Sequence, residues 1–105
     1  MSRIIRSALF KRQLIEFTSS YRLRAGSDIA LKFVDQIEES IRFIAIKPVA
    51  CAVYTRLEGK EFRKWGVKDF PVSIFFRLEG EDTIVRDALY AHRMNVAARF
   101  PKDVE

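Results

Sequence analysis

The chain has 105 residues, 49% of them apolar and 31% charged, the size and balance of one folded domain rather than of a disordered tail or a two-domain protein. Nineteen Lys and Arg against fourteen Asp and Glu leave a net charge of +5, so the long-range field favours polyanions or an acidic partner surface. One cysteine and one histidine exclude an internal disulfide and a cluster with metal-ligand spacing, so neither a metal nor a cofactor is expected.

The N-terminal run Met1-Ser2-Arg3-Ile4-Ile5-Arg6 is broken by charge before an apolar segment develops. No stretch reaches the length of a membrane span, and the expected location is the cytoplasm, away from the membrane. Residues 4–9 read as a short extended start. Phe10, Leu14, Phe17 and Tyr21 then fall at helical spacing on one face. This first helix should stop near Gly26, with Ser27 and Asp28 supplying an N-cap and an acidic first turn for the next.

The second helix carries Ala30, Phe33, Val34, Ile37, Ile41 and Ile44 as a stripe, with Asp35, Glu38, Glu39 and Arg42 largely off it, and Pro48 ends it. Two amphipathic helices joined by so short a turn form an antiparallel hairpin whose apolar stripes need another layer to cover them.

Residues 49–60 have no clear period and read as a connection. Within them Cys51, in Val49-Ala50-Cys51-Ala52-Val53, reads as a small buried hydrophobe. A strand is predicted for residues 61–67. After Pro71, Val72, Ile74, Phe76 and Leu78 alternate with Ser73, Phe75 and Arg77, and the turn 79–82 leads into a further strand over 83–91.

A loop of two or four residues in this hairpin sets residue 78 opposite 83, 76 opposite 85 and 72 opposite 89. One face then holds Val72, Ile74, Phe76, Leu78, Val85 and Leu89, a floor for the helices, interrupted by Asp87. The other presents Phe75, Arg77, Ile84, Arg86 and Tyr90, a mixture of cations and aromatic surface suited to a covering partner or an anionic ligand. Past the strand, residues 92–100 suggest one short helical turn before a polar tail. Gly26, Gly59, Gly66 and Gly80 are isolated, so no glycine-rich phosphate loop is present.

The order strand, helical hairpin, antiparallel strands and basic end resembles the ParE/RelE toxin superfamily. The resemblance runs over nearly the whole chain, read as a single domain spanning residues 1–105. It is carried by Arg63-Lys64-Trp65-Gly66-Val67-Lys68-Asp69-Phe70-Pro71-Val72-Ser73-Ile74-Phe75-Phe76-Arg77, similar to an Arg-rich strand, a Phe-Pro step and an aromatic strand ending in Arg. It is carried further by Asp82-Thr83-Ile84-Val85 and Ala88-Leu89-Tyr90-Ala91-His92-Arg93-Met94-Asn95, similar to the final strand and its basic, Asn-ended segment. The implied fold is α+β: an N-terminal strand, an antiparallel helical hairpin packed on a small antiparallel sheet, and a short C-terminal helical turn.

The resemblance implies the toxin of a type II toxin–antitoxin system, of the plasmid-stabilising kind, neutralised by a cognate antitoxin and meeting operator DNA only through it. The ParE branch inhibits DNA gyrase, whereas the RelE branch cuts messenger RNA on the ribosome. Cutting RNA without metal needs an acid–base pair and cations for the phosphate. The candidates are Arg63, Arg77, Arg86, Tyr90, His92 and Arg93, with Lys64 a further cation, and only His92 titrates near neutrality unaided. That shortage, with the ParE-like basic end, favours a non-enzymatic gyrase inhibitor. The antitoxin is expected on Phe75, Arg77, Ile84, Arg86 and Tyr90, and the target on Arg93 and Arg99. An mRNA interferase remains the first alternative, and a non-toxic partner-binding or co-repressor module the second.

Overall fold

The computed structural model of the chain describes residues 3–79 and 83–92. Strand β1 (Arg3–Arg6) ends where Ser7 accepts the Phe10 N–H on its hydroxyl at 3.0 Å, an N-cap that starts helix α1 (Ala8–Ala25). The extended start predicted to reach residue 9 is therefore cut short by the cap. Gly26, with φ at +94°, reverses the chain and donates its N–H to the Arg22 carbonyl at 3.0 Å. Helix α2 (Ser27–Ile46) follows at once, with Asp28 in its first turn. Pro48 opens a single 3-10 turn (Pro48–Ala50) and prevents the helix from continuing.

Four further strands follow: β2 (Ala52–Leu57), β3 (Lys60–Gly66), β4 (Val72–Glu79) and β5 (Thr83–Ala91). They join β1 in one sheet of order β1-β5-β4-β3-β2. The four pair antiparallel in sequence order, and β1 lies parallel to β5. Strand β2 falls in the stretch predicted to be a connection. Its pairing with β3 is set by Glu58 and Gly59, whose φ values of 50° and 78° are those of a two-residue hairpin turn with both central residues left-handed.

The register of β4 on β5 also differs from expectation. Glu79 pairs with Thr83, so an odd number of residues separates the paired ends, and Leu78 meets Ile84 rather than Thr83. The register then shifts between Phe75 and Phe76, whose partners are Ala88 and Arg86. Asp87 is the extra residue of that bulge, which accounts for a charge in an otherwise apolar alternation.

The two changes compensate at the core. Val72, Ile74, Phe76 and Leu89 face the helices as expected, joined by Ile84, while Leu78 stands partly in solvent. Phe10, Phe33, Ile37 and Ile44 from the helices and Cys51 and Val67 from the loops complete this cluster. Beside it Phe33, Tyr21 and Phe70 pack ring against ring at centroid distances of 4.9 to 5.1 Å. A second, smaller cluster of Phe62, Phe75, Ala88 and Tyr90 forms apart from it, with Leu9, Tyr54 and Leu57 packed against it.

Candidate functional site

Strand alternation from β3 to β5 brings Lys64, Ser73, Phe75 and Tyr90 together, because Lys64 pairs with Phe75 and Ser73 with Tyr90. With Tyr54 of β2, Ala91 and His92 they line a cleft of about 290 Å³. Its walls are aromatic: Tyr54 meets Phe75 edge-on at 5.0 Å, and Phe75 meets Tyr90 at 5.5 Å. The Lys64 ammonium stands 5.6 Å from the centre of the Tyr54 ring, within cation–π range.

His92 lies just past β5, as expected, and is fixed at two points. Its N–H donates to the Pro71 carbonyl at 2.8 Å, and its Nε2 shares a hydrogen bond of 2.9 Å with the Ser73 hydroxyl. An exposed imidazole, an exposed ammonium and a nearly buried hydroxyl thus converge on an aromatic cleft. Such an arrangement can hold a carboxylate or phosphate against an aromatic surface. Sequence reasoning named Lys64 only among several cations, and passed over Ser73 and Tyr54. Alternation along β3 and β4 carried the signal for the first two. Tyr54 was hidden because β2 was not recognised as a strand.

The remaining predicted site residues do not share one open face. Phe75 and Tyr90 are buried, at 3% and 0% exposure. Ile84, predicted beside them, is moved by the odd loop to the helix-side core, where it is 2% exposed. The register sets Arg86 opposite Phe76 and Arg6, so the bulge breaks the alternation predicted to align it with Phe75 and Tyr90. Arg93, Arg99 and the predicted C-terminal helical turn lie outside the described residues.

Two of the candidate cations are engaged elsewhere. Arg63 pairs with Phe76, which puts it on the other side of the sheet from Lys64. Its guanidinium donates to the carbonyl of Cys51 at 2.8 Å and to Glu61 at 2.6 Å. Arg77 lies over the Phe62 ring at 5.9 Å and donates to Glu79 at 2.8 Å. That hydrogen bond and the Arg77 charge hold the Glu79 carboxyl below its ordinary value. Burial pushes the Cys51 thiol up, with the Arg63 charge opposing in part, which suits an inert core residue. Among the described residues no group of three or more His, Cys, Asp or Glu side chains could hold a metal ion.

No protein-family model and no curated protein matches the sequence. A solved chain described as the chromosomal ParDE TA system from P. aeruginosa superposes with a TM-score of 0.72, covering 87% of this chain and 96% of that one at 20% identity. The fold is ParE-like. In this ParE-like arrangement the helical hairpin occupies one face of the sheet, and the cleft opens where β3, β4 and the end of β5 meet. No helix among the described residues is long and apolar enough to cross a membrane.

Proposed function

We propose that the chain is the toxin of a toxin–antitoxin pair and acts by binding, with DNA gyrase as its target and a cognate antitoxin as its neutraliser. The observation that carries this reading is the likeness to a ParDE component over nearly the full length of both chains. A binding rather than a cutting mechanism is supported by the dispersal of the candidate catalytic groups. Arg63 and Arg77 are held in ion pairs, Tyr90 is buried, and His92 is left with Lys64 in the cleft. Arg93 and Arg99 supply charge to the target in this reading. The antitoxin approaches the sheet at Arg77 and along the exposed rim of the cleft, where Lys64 and His92 suit acidic side chains. It is also the part of the complex that meets operator DNA.

A second reading is favoured by one feature, the hydrogen-bonded His92–Ser73 pair beside Lys64. It places one acid–base group and a cation together, part of what cutting a phosphodiester without metal needs. The mRNA interferase reading therefore rests on that cleft alone.

The deciding experiment for the toxin assignment is inducible expression with and without the gene next to the toxin's own. Growth arrest relieved by a neighbour encoding an antitoxin is the expected result. Normal growth in both cases, with soluble protein accumulating, rejects a toxin of either kind and leaves a partner-binding or co-repressor module.

A further inference from the structure

We propose that the outer face of the α1–α2 hairpin is a self-association surface, on which α1 of one copy lies over α2 of a second. The inference is independent of the gyrase reading. It starts from residues that helical periodicity turns away from the sheet. On α1 the exposed outward charges are Lys11, Arg12 and Arg22 against Glu16, which stands 3.8 Å from Arg12; on α2 they are Asp28, Asp35, Glu38 and Glu39 against Lys32 and Arg42. A basic stripe and an acidic stripe thus run side by side down one hairpin.

The same face carries large apolar side chains in water. Ile15, Leu23 and Leu31 are 68%, 83% and 64% exposed. Together these features describe a surface complementary to itself. A two-fold axis running parallel to the helices, between the two hairpins, sets each α1 over the partner's α2 and pairs opposite stripes at both contacts. The hairpin also places opposite charges at matching ends. Arg12 lies towards the end of α1 that adjoins the Glu38 and Glu39 end of α2, and Arg22 lies towards the Asp28 end. The exposed apolar residues supply the area that charge pairs alone do not. The sheet cleft lies outside this contact and remains open in the dimer.

The test uses sedimentation velocity on the full chain over a concentration series at low and high salt, with circular dichroism confirming that every variant is folded. The wild-type chain is expected to dimerise, more weakly at high salt. Arg12→Glu with Arg22→Glu makes both stripes acidic, and Asp35→Lys with Glu38→Lys makes both basic. Each double variant alone should dimerise about tenfold more weakly or worse, while an equimolar mixture of the two should recover the dimer. A wild-type chain that stays monomeric at every concentration overturns the proposal and leaves this face to a different partner. So does a dimer that survives both charge reversals, or a mixture that fails to recover.

Discussion

Gln13 is a polar residue on the apolar face of α1, and its burial follows from where β1 stops. Strand β1 pairs with β5 only as far as Arg86, and beyond it the Leu89 N–H has no strand to bond. Gln13 Oε1 accepts that N–H at 2.7 Å. Gln13→Leu keeps the packing but leaves the donor buried without a partner, and should lower unfolding free energy by about 1–3 kcal/mol in denaturant titrations. At Cys51 the raised thiol pKa, caused chiefly by burial, keeps the protonated form in the core. The associated stability is complete below the unfolded thiol's pKa and declines as pH rises through the higher folded value. Native protein should therefore resist iodoacetamide at neutral pH and react on unfolding; rapid native labelling would contradict the burial. His92 is held by Ser73 and by the Pro71 carbonyl, so His92→Gln retains hydrogen bonding while abolishing titration. Toxicity is expected to persist in that variant. A folded, antitoxin-binding His92→Gln protein without toxicity would shift the mechanism to RNA cleavage.

At the level of elements, the Asp87 bulge does most to arrange the site. The odd loop before β5 and the bulge within it each reverse side-chain parity, and together they let Ile84 and Leu89 face the helices while Ala88 and Tyr90 join the second cluster. Deleting Asp87 removes one reversal and forces one of these sets to the wrong face. A loss of about 3 kcal/mol or more is expected from thermal unfolding, comparable with emptying one large core position. A deletion variant as stable as the wild type would mean that the bulge does not set the faces. Both helices were legible in the sequence because their 3.6-residue stripes are long and Gly26 and Pro48 mark where they end, whereas the Ser7 cap that starts the first was read as part of the extended segment. Strands β3, β4 and β5 were legible from alternation. Strand β2 was not, since its Ala, Thr and Arg positions blur the period and its turn is the less conspicuous pair Glu58-Gly59. The face assignment failed at Ile84 for a related reason: parity depends on a loop length and a bulge that no local pattern specifies.

For the whole molecule, the gyrase-binding proposal rests on a ParE-like fold and a basic net charge of +5. Binding charge then matters more than acid–base chemistry, and the contribution of Arg93 and Arg99 can be read in the same assay as the mechanism. The purified protein is added to gyrase with relaxed plasmid, and in parallel to ribosomes translating a defined message. Inhibition of supercoiling, or gyrase trapped on cleaved DNA, with the message intact, is the expected result. Inhibition should weaken when Arg93 and Arg99 are both changed to Gln, without loss of folding. Cuts at codon positions in ribosome-bound message, with supercoiling unaffected at the same protein concentration, would overturn the gyrase proposal.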